Sequence, residues 1–260
     1  MDQNVNQPKV SVNIATYNRG FFLKQAIDSV LAQTWTDWEL LIVDDASTDN
    51  TEAIVRPYLA DPHVRYFRND QNLNISFTRN RALDNSHGEY IAILDSDDYW
   101  TDPEKLAKQI AFLDAHPDYL AVGTQAITIN DNGTRLGVLD LPLRDASIRG
   151  SILAKNPLIH SSVLYRRQPV IETGQYDLSL NAIEDYDLWL RLGRTGKLAN
   201  LADRTVAYRL HAGNASVRDR LRLLRLNISL IKKNRRAYPS FAWALARRSL
   251  RYWLFYLLKS

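Results

Sequence analysis

Cysteine is absent from the 260 residues, which excludes a disulfide framework, thiolate metal ligation and a cysteine nucleophile. No window offers about 18 uninterrupted apolar residues, so no membrane-spanning helix is expected. Residues 1–8 are polar and lack the basic-then-apolar pattern of a signal peptide, and a cytoplasmic location follows as the expectation. Also missing are a G-x-x-x-x-G-K-S/T loop and a G-x-G-x-x-G after the first strand, which counts against a P-loop nucleotidase and a dinucleotide oxidoreductase. Acids are scarce at one end only. Residues 218–260 hold twelve Lys/Arg and one acid, a net +11, so residues 1–217 carry a net −7 beneath the overall +4. An acidic body argues against a nucleic-acid surface there.

What is present is a chain 45% hydrophobic, enough to bury a substantial core. The most informative stretch is Ile91-Ala92-Ile93-Leu94-Asp95-Ser96-Asp97-Asp98, an apolar run that ends in three carboxylates. It has the length of a buried strand, and open α/β sheets bind ligands at such C-terminal strand ends. Carboxylates one residue apart can turn to one hard cation and leave its other positions to phosphate oxygens. The competing reading is an acidic turn into the helix opened by Asp102-Pro103.

Upstream, Val10-Ser11-Val12-Asn13-Ile14-Ala15 reads as a strand, followed by a polar loop at Tyr17 and a helix carrying Leu23, Ile27, Val30 and Leu31. A second strand over 38–43 runs into Asp44-Asp45, and a helix starts near Thr51. Then come a strand at 64–67, a helix at 76–86 and the central strand from Glu89. This alternation predicts an α/β fold, a Rossmann-like, mainly parallel central sheet with helices on both faces. Further on, a longer strand at 119–130, a strand at 162–165, a helix at 184–194 and a strand at 206–209 point to mixed strand directions. Residues 1–217 read as one domain.

Tyr17 and Asp45 suit a nucleoside, the ring stacking on the base and the carboxylate accepting its hydrogen bonds; ordinary loop and capping chemistry competes. Arg79 is a candidate bidentate donor to a diphosphate, or a solvated helix arginine. Glu184 and Asp185 open a helix, where acids cap well and where one facing a cleft can act as a general base. His211 follows the last strand and could complete a carboxylate–diphosphate shell, favouring manganese or magnesium. In the tail, Leu221, Leu224, Ile228 and Ile231 form one apolar stripe, and Ala246, Leu250, Trp253 and Leu257 another, opposite Arg247, Arg248 and Arg251. Such basic amphipathic helices suit an anionic membrane surface or packing on protein.

These pieces together resemble the family 2 glycosyltransferases, inverting nucleotide-sugar transferases of GT-A fold. The resemblance rests on five segments in order: Val10 to Arg19, Glu39 to Thr51, Arg79-Asn80-Arg81-Ala82, Gly88 to Asp98, and Glu184-Asp185. It implies that Tyr17 and Asp45 hold the donor base, that Arg79 helps with base or phosphates, and that Asp95 faces the ribose. Asp97 would ligate Mn2+ or Mg2+, with His211 able to join it in a segment that also includes Ser216. Asp185 would be the catalytic base, with Glu184 orienting it or the acceptor. The implied partners are a nucleoside-diphosphate sugar, UDP by default, and a glycan or lipid-linked acceptor in cell-surface polysaccharide synthesis. The alternatives are a catalytically silent sugar-nucleotide-binding partner and a sugar-nucleotide nucleotidyltransferase, whose Gly-rich basic loop is missing here.

Overall fold

A computed structural model describes residues 7–180, 182–211 and 220–257. The 217/218 boundary and Ser216 lie outside the described residues. The first half alternates as the hydrophobic pattern dictates: β1 (Val10–Thr16), α1 (Gly20–Leu31), β2 (Trp38–Asp44), α2 (Thr51–Val55), β3 (Val64–Arg68), α3 (Ile75–Asp84) and β4 (Tyr90–Ile93). α2 passes into a 3-10 turn over Arg56–Ala60, where Pro57 falls at the first positions. β5 (Tyr99–Trp100), α4 (Lys105–Ala115), β6 (Tyr119–Ile129), β7 (Arg135–Leu139), α5 (Asp145–Ser151), β8 (Leu164–Arg166), α6 (Arg167–Glu172), α7 (Glu184–Thr195) and β9 (Lys197–Arg209) follow. The tail forms α8 (Arg220–Lys233) and α9 (Phe241–Leu257).

Among the described residues the strands form one sheet in the order β3-β2-β1-β4-β8-β6-β9-β5, with β7 paired to β6. β1 to β4 are parallel to one another, whereas β8 runs antiparallel to β4 and β6. Directions therefore become mixed beyond β4, as the loosened alternation suggested. Three details differ from expectation. The strand read at 162–165 begins only at Leu164, because His160–Ser162 forms a 3-10 turn. The strand read at 206–209 starts at Lys197, its charged middle being solvent-exposed where its register with β6 shifts. β5 and β7 are too short or too exposed to carry an apolar signal.

The core lies in two layers. Val10, Val12, Ile14, Leu40, Ile42 and Ala92 pack with Leu23, Ile27 and Val55 of α1 and α2 on one face. Ile91, Ile93, Val163 and Tyr165 meet Leu83 of α3 and Leu188, Trp189 and Leu192 of α7 on the other. Alternate side chains of β4 thus serve both layers, as a central parallel strand must. Gly88 admits this strand beside β1: a Cβ there would sit 2.4 Å from the backbone nitrogen of Ser11. The tail joins the second layer through Leu230, Ile231, Tyr238 and Ala244, and the Tyr238 hydroxyl donates to the Leu190 carbonyl at 2.8 Å. No helix among the described residues is long and apolar enough to cross a membrane.

One core residue has a pH signature. Lys105 is fully buried, donates to Gln109 Oε1 at 2.6 Å and lies 4.1 Å from the centre of the Trp100 ring. Burial pushes its ammonium well below the ordinary 10.5, outweighing the opposite pull of Asp102. Between the lowered value and 10.5 the unfolded chain binds a proton that the folded chain does not, so stability rises with pH across that window. Urea unfolding from pH 8 to 10 is expected to show wild type gaining stability relative to Lys105→Met; a pH-independent difference would contradict this.

Candidate functional site

Three parallel strands end toward the same edge of the sheet. Thr16 pairs with Asp44, and Asn13 with Ile93, so Tyr17, Asp45 and Asp95 emerge at the same sheet edge. The two acidic loops thus lie at one edge of the sheet.

Asp95 Oδ1 accepts from Arg79 Nη2 at 2.7 Å and lies 3.1 Å from His160 Nδ1. Its backbone N–H donates to Ser161 Oγ at 3.2 Å. Burial alone would raise its pKa, but the Arg79 charge and His160 override that and hold it well below the usual carboxylate range. Asp98 points inward, its carboxylate accepting from the Ser161 hydroxyl and from the Arg209 N–H at 2.7 Å. Burial, then the charges of Asp97 and Asp95, push it well above the usual range.

Asp97 is left as the acid of the loop that meets His211: Nε2 and Asp97 Oδ2 are 2.9 Å apart. The His211 ring stacks on Phe22, centroids 5.6 Å apart, and Arg19 Nε is 3.6 Å from the same carboxylate oxygen. Arg209 Nε donates to the Asp97 carbonyl at 2.8 Å and fixes the loop to the end of β9. Among the described residues no three His, Asp or Glu side chains form a metal cluster. One carboxylate and one imidazole still fit a cation whose remaining positions are filled by diphosphate oxygens and water.

In the loops after β1 and β2, Tyr17 is 44% exposed and Asp45 is buried. Asp45 accepts from Asn69 Nδ2 at 2.7 Å and from the N–H groups of Leu73 and Asn74 at 2.9 and 3.1 Å. It organises the loop leading into α3, using three of about four lone-pair directions of a carboxylate.

Glu184 and Asp185 lie in the first turn of α7. Asp185 Oδ2 accepts from Asn156 Nδ2 at 2.8 Å. Glu184 is buried against Arg79 Nη1, and burial raises its pKa more than the Arg79 charge lowers it. Both Nη groups of Arg79 therefore face protein carboxylates, Asp95 on one side and Glu184 on the other, with the Tyr176 ring 5.7 Å from the guanidinium carbon. The geometry gathers Arg79, Asp95 and Glu184 into one charged cluster, with Asp97 and His211 forming a second.

His160, Tyr176 and Asn156 belong to this site and went unread in the sequence. They are single polar residues 16 to 65 positions from their partners. The available signal was the polar triplet His160-Ser161-Ser162 set just before an apolar strand.

Similarity to known proteins agrees with this architecture. The chain is 35% identical to EpsE of Bacillus subtilis over 194 residues, 73% of this chain and 68% of EpsE. It is 31% identical to WfaP of Escherichia coli over 245 residues, 91% of this chain and 92% of WfaP, a protein named UDP-Glc:alpha-D-GlcNAc-diphosphoundecaprenol beta-1,3-glucosyltransferase. Other relatives are longer: the chain spans 59% of a mycobacterial protein to which it is 34% identical. Its fold matches the mannosyltransferase PcManGT from Pyrobaculum calidifontis, solved with GDP-Man and Mn2+, at a TM-score of 0.71 and 19% identity, over 94% of this chain and 74% of that one. Residues 11–173 match the family described as glycosyl transferase family 2. The chain belongs to glycosyl transferase family 2, with the GT-A type of α/β fold.

Proposed function

We propose that this glycosyltransferase transfers a sugar, with inversion, from a UDP-sugar to a hydroxyl of a glycan or lipid-linked acceptor, in cell-surface polysaccharide synthesis. The observation that carries the reading is the arrangement of acids: Asp97 meets His211 in the loop after β4, and Asp95 of the same loop is joined through Arg79 to Glu184, the neighbour of Asp185 at the start of α7. The name of WfaP supports UDP and a polyprenyl-diphosphate-linked acceptor, and the Mn2+ of PcManGT supports a divalent cation.

Tyr17 stacks on the base and Asp45 accepts from its edge. Asp95, kept ionised, accepts from the ribose, and Arg79 holds that carboxylate toward the donor. Asp97 and His211 would hold Mn2+ or Mg2+, which when bound would supply positive charge toward the leaving diphosphate. Asp185 takes the proton of the acceptor hydroxyl as that oxygen attacks the anomeric carbon. Asn156 fixes one oxygen of Asp185 so that the other meets the acceptor. Glu184, its proton affinity raised by burial, orients Asp185 and the acceptor. One base without a covalent sugar intermediate inverts the anomeric centre. UDP release from a panel of UDP-sugars, with and without a polyprenyl-diphosphate-linked sugar, tests the reading. Acceptor-dependent release supports it, and none from any donor would reject it.

The tail brings the enzyme to the cytoplasmic face of an anionic membrane. Ile231 and Ala244 are buried, but Trp243, Leu250, Trp253 and Leu257 of α9 are each more than half exposed, with exposed Arg247 and Arg251 nearby. Aromatics beside arginines match an interface of apolar tails and anionic headgroups. Trp243→Ala with Trp253→Ala should cut sedimentation with phosphatidylglycerol vesicles about 10-fold. Unchanged sedimentation, or self-association through the same face without vesicles, would contradict it.

A further inference from the structure

His160 is buried with both ring nitrogens occupied. Nδ1 lies 3.1 Å from Asp95 Oδ1 and Nε2 lies 3.0 Å from the Tyr176 hydroxyl. Asp95 is ionised and can only accept, so Nδ1 carries the proton; in the neutral ring Nε2 accepts and the Tyr176 hydroxyl donates. The next residue braces the same loop: Ser161 Oγ accepts from the Asp95 backbone N–H and donates to Asp98, and the Ser161 carbonyl accepts from Trp100 Nε1 at 2.9 Å. Tyr176 is held in turn by Asn80 of α3, whose Nδ2 donates to the Tyr176 carbonyl at 2.8 Å and whose Oδ1 accepts the Tyr176 N–H at 2.9 Å.

Arg79 and His160 both converge on one oxygen, Oδ1, of Asp95, and neither engages Oδ2. Asp98 is turned inward and Asp97 toward His211. Two donors on Oδ1 fix the rotation of the carboxylate and leave Oδ2 as its open acceptor. We propose that His160, locked by Tyr176, is a positioning residue that aims Asp95 Oδ2 at the donor ribose and so sets discrimination for a ribose hydroxyl. The inference rests on the reading of Asp95 as the ribose acceptor. It adds a turn, beginning 65 residues beyond Asp95, that decides how tightly that carboxylate reads sugar hydroxyls.

The test compares binding of UDP and 2′,3′-dideoxy-UDP, each with Mn2+, by calorimetry on the full chain. A site that aims a fixed, charged acceptor at a hydroxyl favours the ligand carrying it about 10-fold or more. Wild type should show that preference. His160→Asn keeps a donor near the Nδ1 position and should retain most of it. His160→Gln places its amide near the Nε2 position and should lower the ratio to about 2, and Tyr176→Phe should reduce it about 3-fold. The UDP affinity should fall in these variants while dideoxy-UDP binding stays put, a change that general loosening of the fold would not produce. A ratio unchanged from wild type in His160→Gln and Tyr176→Phe would overturn the proposal. Should His160→Gln not fold, Tyr176→Phe, which removes one hydroxyl, decides alone. Equal binding of the two nucleotides by wild type, or no binding of UDP, would instead overturn the ribose reading itself and the proposal with it.

Discussion

Asp185→Asn is expected to lower sugar transfer by about 10²- to 10⁴-fold while leaving nucleotide affinity within about 3-fold of wild type. The substitution keeps the volume and leaves an oxygen to accept from Asn156 Nδ2, so the start of α7 keeps its structure. What it removes is the ability to take a proton. Donor binding survives because Asp97, Asp95, Asp45 and Tyr17 lie on loops from the sheet edge, and none of them shares a hydrogen bond with Asp185. Asn156→Ala removes only the orienting amide and should cost less, about 10-fold, the carboxylate remaining but free to turn. Initial rates and calorimetric binding on the same preparations separate the two effects. Near-normal transfer by Asp185→Asn would move the base elsewhere, Glu184 being the neighbouring carboxylate.

Asp97→Ala should have the opposite division. Its Oδ2 is the oxygen nearest His211 Nε2 and Arg19 Nε. Without it His211 alone faces the cation, and the gain in UDP affinity on adding Mn2+ should vanish. Transfer should fall about 10²-fold or more, because charge on the leaving diphosphate goes uncompensated. Chelation of wild type should reproduce the loss, and added Mn2+ should restore wild type but not the variant. His211→Ala, which keeps the carboxylate, should need about 10-fold more Mn2+ for the same rate. Metal-stimulated UDP binding that persists in Asp97→Ala would place the cation elsewhere.

The first half of the fold was legible because burial on both faces forces near-continuous apolar runs in β1, β2 and β4, and each run ends where polar loop residues must begin. For the same reason the acidic strand ends at Asp45 and Asp95 could be placed on one edge before any coordinates. Edge strands β5 and β7 carry no such signal, being two and five residues long and partly exposed. The orientation of individual acids within Asp95-Ser96-Asp97-Asp98 was not legible. It is set by Ser161 and Arg209, more than 60 residues away, which turn Asp98 inward. Likewise Arg79 could be read as meeting phosphate, but its contacts with Asp95 and Glu184 arise from tertiary approach of α3 and α7. In the tail, the stripe Leu224 and Ile231 turns into the core, whereas Leu250, Trp253 and Leu257 face outward. Periodicity finds both stripes and cannot say which one a neighbouring layer will cover.

The most direct measurement is calorimetric titration of wild-type protein with UDP, dTDP and GDP, each with and without Mn2+. The account predicts binding of UDP that is strengthened by Mn2+, with dTDP and GDP bound more weakly. Absence of binding by all three nucleotides, from protein shown to be folded, would contradict a sugar-nucleotide site at this sheet edge.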